Sequence, residues 1–286
     1  MRKLCPAMPW ILPLALHSTE ALAWGLYTHV YFAQLLIWAI PLADARFRKA
    51  VRRFPELLLA GACLPDISLF SRRNGPGMLG ATHQWSIVKA MLRSAQDDAE
   101  RAIATGFASH LLTDIIAHNH FVPTHEELWF NVPLATHAAS EWAMDAHVAP
   151  QIFARPATVI GRNLDVLARY GTRYFGCTSA QAGRALRCLW RGEHLLRLSR
   201  LPQAAFGGAR LMDARVRQRF DYYACETTQR LSQISRVISG DAPVWQPEVD
   251  CAETARMQIR NCTPRQLRHR LPLPRDFFQA RAAKRA

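Results

Sequence analysis

No Cys-x-x-Cys pair occurs anywhere in the chain, which argues against a thiolate zinc site. Internal repeats and low-complexity tracts are also missing, so neither a solenoid nor a long disordered segment is indicated. After the first 23 residues no stretch approaches the ~18 to 20 charge-free apolar residues that a membrane span needs. Sustained alternation of apolar and polar residues is lacking too, which leaves little room for half-buried strands. Acidic residues are scarce: 22 Asp and Glu stand against 36 Lys and Arg, for a net charge of +14. A field of that sign favours polyanions, either anionic membrane surface or nucleic acid, without marking a site.

What is present is helical period. Apolar residues recur three and four apart over 27–40, 45–62, 84–93, 97–117, 134–148, 156–174, 179–198 and 213–239, the spacing of amphipathic helices. Breaks are expected at Pro41, Pro65, "RRNGPGMLG" (72–80), "FVPTHEE" (121–127) and "QAAFGGA" (203–209). The expectation is an all-α, multi-helical, single globular domain. Its division reads as 1–23 leader, 24–150 core and 151–286 an arginine-rich C-terminal helical region packed on that core.

The leader has the order of a secretory signal: Arg2 and Lys3, an apolar stretch from Met8 to Leu16, then Ala-Leu-Ala ending at Ala23. Cleavage before Trp24 predicts an exported protein, periplasmic or secreted. Losing Arg2, Lys3 and Glu20 lowers the net charge by one. Six of the seven cysteines remain, an even number that permits disulfides in an exported chain; Cys177/Cys188 and Cys251/Cys262 are each eleven apart.

Polar residues then appear where an apolar helix face should be. "GFASHLLTDIIAHNHF" (106–121) sets His110 and Asp114 four apart on one face, and "LATHAASEWAMD" (134–145) does the same with His137 and Glu141. Each pair can meet one metal ion from consecutive turns. One such pair is a weak signal. Two of them, in a region that also holds Asp66, His83, His118, His120 and His125, point to a metal centre. Surface ion pairs would give no reason for so many on apolar helices.

Together "AWGLYTH", "LPD", "HQW", "HLLTD…H" and "HAASE" resemble the zinc-dependent phospholipase C family, related to the S1/P1-type nucleases. The resemblance covers about residues 24–150. It implies nine ordered metal ligands: Trp24, His29, Asp66, His83, His110, Asp114, His120, His137 and Glu141. It implies up to three zinc ions, the first on Asp66, His83, His110 and Asp114, the second on His120, His137 and Glu141. The third would take the free amine and carbonyl of Trp24, His29 and a bridging oxygen of Asp114. Asp66 would double as the catalytic base or orient the attacking hydroxide. At about 100° per residue His118 lies about 40° from Asp114 and His120 about 120°. Helix geometry for a single metal therefore selects His118, whereas the family pattern selects His120 for a neighbouring ion and leaves His118 a bracing role.

The reading that follows is a zinc-dependent phosphodiester hydrolase that cleaves phospholipid head groups, with peripheral contact to an anionic membrane surface. Alternatives from other classes stay open: a single-strand nuclease or 3'-nucleotidase, and a non-catalytic zinc-stabilised envelope protein. Ile67 stands where a choline-lining aromatic follows the metal-binding Asp in the bacterial lipases. The Trp24-to-His29 spacing resembles the nuclease branch. Trp85, Trp129, Phe130 and Trp142 are available to clamp bases, or simply to fill the core.

Overall fold

In a computed structural model, residues 24–70, 82–129 and 133–241 can be described, and among them all regular structure is helical. The leader, the 72–80 break, Phe130, Cys251 and Cys262 lie outside the described residues. The longest apolar face builds the centre of the molecule. Helix α5 (Asp98–Ile116) is buried without interruption from Ala102 to Ile116. Its start is fixed by Asp97, whose side chain accepts from the Glu100 amide at 2.8 Å, while Glu100 accepts from the Gln96 amide at 3.0 Å.

Helices α1 (Leu26–Trp38), α2 (Ala45–Arg53) and α3 (Pro55–Cys63) pack around α5. The period over 45–62 predicts one helix. The structure divides it at Phe54, because Pro55 has no N–H to continue the ladder and instead opens α3. Two glycines let α3 lie against α5 backbone to backbone. A Cβ on Gly61 would run into the Ile103 carbonyl, and one on Gly106 into the Leu58 carbonyl. That approach brings the end of α3, and Asp66 on the 3₁₀ turn Pro65–Phe70 behind it, up to the polar residues of α5.

Helix α4 (Trp85–Ser94) covers one side of α5. A π turn, Ala117–Phe121, extends the far end of α5 and leads into α6 (Val122–Leu128) and α7 (Pro133–Val148). "FVPTHEE" is thus helical rather than a break, since a proline in the first turn costs no hydrogen bond. Helices α8 (Pro156–Phe175) and α9 (Ser179–Leu198) form a pair joined through Gly176, which is left-handed at φ 55°. "QAAFGGA" also lies in a helix, α10 (Leu201–Met212). Gly207 and Gly208 face open space there, while Pro202 and Ala209 are buried. The period over 213–239 resolves into α11 (Val216–Leu231) and the short α12 (Ile234–Ile238).

Val30, Leu58 and Phe107 share one hydrophobic cluster with Ile160, Leu186, Phe220 and Tyr223, so the arginine-rich half up to α12 builds on the same core. Cys63, Cys177, Cys188 and Cys225 are free thiols. No described helix is long and apolar enough to cross a membrane.

Candidate metal centre

Five of the expected ligands converge at the buried middle of the molecule. On α5, His110 Nε2 lies 3.1 Å from Asp114 Oδ2, one turn away. From α1, the His29 ring stacks on His110 with centroids 3.5 Å apart, and its Nε2 is 3.2 Å from Asp114 Oδ1. From the loop before α4, His83 Nε2 comes to 3.2 Å of His110 Nε2 and 3.7 Å of Asp114 Oδ2. Asp66 Oδ1 stands 3.7 Å from His110 Nε2 and 3.9 Å from His83 Nε2. Two triads, His29–Asp66–His110 and His83–His110–Asp114, each offer donor atoms within 4.8 Å of one another.

The outer nitrogen of each imidazole is already occupied. His110 Nδ1 donates to the Ala62 carbonyl at 2.8 Å. Thr82 donates its hydroxyl proton to the Pro65 carbonyl, so its oxygen accepts from His83 Nδ1 at 3.2 Å. Thr113 likewise donates to the His110 carbonyl and accepts from His29 Nδ1 at 3.4 Å. All three rings therefore turn Nε2 inward as a lone pair, the arrangement that prepares histidines for a metal ion. His29 Nε2 and Asp114 Oδ1 are buried with no hydrogen-bond partner. A neutral His29 protonated on Nδ1 cannot donate to Asp114, so the two lone pairs face each other. A cation between them fits that vacancy of charge, and the nitrogen and oxygen donors suit zinc.

Burial sets the electrostatics. It pushes the Asp66 carboxyl up to about 8, with His110 opposing and Asp114 reinforcing the shift. Burial also holds His83 neutral, at about 3. At Asp114 a positive charge on the His110 and His29 side outweighs burial and keeps the carboxyl well below the ordinary range, a place that a bound cation would take with both rings neutral.

A second group lies beside the first. On α7, His137 Nε2 is 2.8 Å from Glu141 Oε1, and His137 Nδ1 faces Glu126 Oε1 at 3.9 Å. Burial raises Glu141 to about 6, with His137 working against it. The His118 ring is 6.1 Å from that of His137, and His118 shares the field of Asp114, His137, His110 and His29. His120 is buried with neither ring nitrogen bonded, and its charged neighbour is Arg230 on α11. The π turn carries His118 to within ring contact of His137.

Trp24 is buried beside the centre. Its indole N–H donates to the Thr113 carbonyl at 3.0 Å, and its ring packs on Phe121 at 4.4 Å. His125 is buried among Phe121, Trp129 and Phe220, and His147 pairs with the exposed Asp221 at 2.8 Å. Trp85 and Trp129 are half-buried against the core. Thr82, Thr113 and the Ala62 carbonyl carry no sequence signal of their own. Asp145 does: it continues the four-residue stripe of His137 and Glu141, and its carboxylate accepts from the Thr28 amide and hydroxyl at 2.9 and 2.8 Å.

Inward-facing imidazoles and carboxylates held between buried helices give an all-helical protein with a cluster of nitrogen and oxygen donors that could hold a metal ion. Residues 28–169 match the family model described as zinc dependent phospholipase C. That match, over just under half of the chain, supports the zinc-dependent phospholipase C family and with it a phospholipid-cleaving zinc hydrolase in general. No curated protein and no solved structure matches the chain significantly.

Proposed function

We propose that this chain hydrolyses the phosphodiester of phospholipid head groups at a centre of up to three zinc ions. The observation that carries the reading is the anchoring of Nδ1 on His29, His83 and His110, which presents three Nε2 lone pairs to Asp66 and Asp114. Asp66, His83, His110 and Asp114 hold one ion, and His29 with the second oxygen of Asp114 contributes to another. His137 and Glu141 hold the remaining ion. Its further nitrogen comes from His118, which faces them, in place of the His120 of the family pattern.

Zinc supplies there an ionisable water at neutral pH and neutralises the charge of a bound phosphate ester. Asp66, at the edge of the cluster, takes the proton of the attacking water. Attack at phosphorus breaks the bond to the alcohol, which leaves in line with the entering oxygen. The carboxylates and imidazoles, fixed from behind by backbone and threonine partners, keep their orientation through the reaction.

Export with cleavage before Trp24 is part of the proposal. The cut would place a free amine one turn from His29, on a residue whose indole is already tied to the Thr113 carbonyl. Lipid is favoured over nucleic acid by the match to the phospholipase C family model. The excess of arginine suits an anionic lipid surface. The test assays phospholipid vesicles and single-stranded nucleic acid side by side on the purified mature protein, with and without chelator. Chelator-sensitive release of the phosphorylated head group is the expected result. Turnover of nucleic acid alone would reassign the substrate, and no turnover of any phosphodiester would leave a zinc-binding protein.

A further inference from the structure

We infer that Arg197, on α9 and outside the family-matched residues, is a positioning residue for the metal centre, acting through Asp145 and Thr28 on His29. The inference rests on the proposed zinc reading of His29.

Helix α1 begins at Gly25, which brings no side chain to cap its free amides. The cap comes from another helix. Asp145 Oδ1 accepts from the Thr28 amide at 2.9 Å and from its hydroxyl at 2.8 Å. Gly25 leaves room for it, since a Cβ there would overlap the Asp145 carboxylate. Thr28 is the residue before His29, so this pair of bonds sets the turn that aims His29 Nε2 at Asp114. The ring's own tether, Nδ1 to Thr113 at 3.4 Å, is long, so the backbone shares in holding the orientation.

Asp145 is fully buried and needs a compensating charge to serve as a carboxylate there. Arg197 provides it, pairing with Oδ2 and leaving Oδ1 to Thr28. The guanidinium is itself held by Glu193 one turn earlier and lies over the Tyr27 ring at 3.9 Å. Tyr27, Thr28 and His29 are consecutive, so Arg197 grips both the ring before the capped residue and the carboxylate that caps it. Since α7 carries His137, Glu141 and Asp145 on one stripe, the same contact fixes α1 relative to a second pair of ligands.

The experiment measures zinc affinity of the whole mature protein by competition with a chromophoric chelator. It compares wild type, Arg197→Gln, Arg197→Lys, His29→Ala and the double variant His29→Ala/Arg197→Gln, each checked for native helicity. Arg197→Gln is expected to weaken one zinc about 10- to 100-fold, the scale of losing a group behind a ligand, and to leave the remaining zinc unchanged. Arg197→Lys regains most of the loss, and the double variant binds no worse than His29→Ala. Should Arg197→Gln fail to fold, Asp145→Asn carries the same comparison with the carboxamide oxygen kept. Unchanged affinity, equal weakening of every zinc, or additive losses in the double variant would overturn the inference. Wild type that binds no zinc, or His29→Ala that loses none, would instead overturn the zinc reading of His29 and the inference with it.

Discussion

His83 Nε2 and His110 Nε2 stand 3.2 Å apart at the centre of the protein, each ring committed at Nδ1 to a group behind it. Two lone pairs at that distance require a positive charge between or beside them. A metal ion held by both nitrogens would supply it. On the acidic side, burial leaves Asp66 protonated up to about 8.

Zinc binding at pH 7 should therefore release protons. Apparent affinity is expected to rise up to about tenfold per pH unit until about pH 8 for the proton on Asp66, then level off. The sign for stability is opposite without metal. A carboxyl raised from 3.8 to about 8 favours the folded state at low pH, and that contribution fades as pH climbs through 8. Calorimetric titration in buffers of different ionisation enthalpy measures the release, and Asp66→Asn should remove its share.

Asp114 faces His29 with one oxygen and His110 with the other. Asp114→Asn should abolish turnover and lower zinc content by more than one ion per chain. His147→Ala, which removes a pair with the exposed Asp221 and ring contacts with Phe206 and Phe220, should change neither. Elemental analysis of both folded variants checks this, and equal mild effects would mean the bridge is misplaced.

His118→Ala should cost one zinc and most of the activity. His120→Ala should keep its zinc and lose thermal stability, since a buried ring is removed without touching the cluster. The reverse ranking would restore the family pattern at this position.

Trp24 makes two separable contributions. Trp24→Phe loses the indole bond to Thr113 and should cost about 1 kcal/mol of stability, with zinc largely kept. One extra residue before Trp24 in the cut form should instead lose one zinc with the fold intact. Mass-verified N-termini and zinc counts distinguish the two.

Gly106→Ala should destabilise by about 1–3 kcal/mol, because the added methyl meets the Leu58 carbonyl across the α3–α5 contact. Denaturant unfolding with and without zinc measures it. A larger loss in the zinc-loaded form would show that the contact also holds Ala62 against His110.

The pairs His110–Asp114 and His137–Glu141 were legible in the sequence because a helix alone places residues four apart on one face. The all-helical class was legible for the same reason: the period of apolar residues is a local property. Local rules also erred locally. Pro123 and the Gly207–Gly208 pair look like breaks, yet one opens a helix and the other sits on a solvent face. Which nitrogen each histidine turns inward depends on Ala62, 48 residues from His110, and on Thr113, 84 residues from His29. Such partners meet only once α3 and α1 are packed on α5. The π turn over Ala117–Phe121 changes the helical period itself, so the directions of His118 and His120 could not be read from spacing alone. The sequence determined which side chains can bind a metal; packing decided which of them meet, because hydrogen bonds across helices are set by backbone approach and not by spacing along the chain.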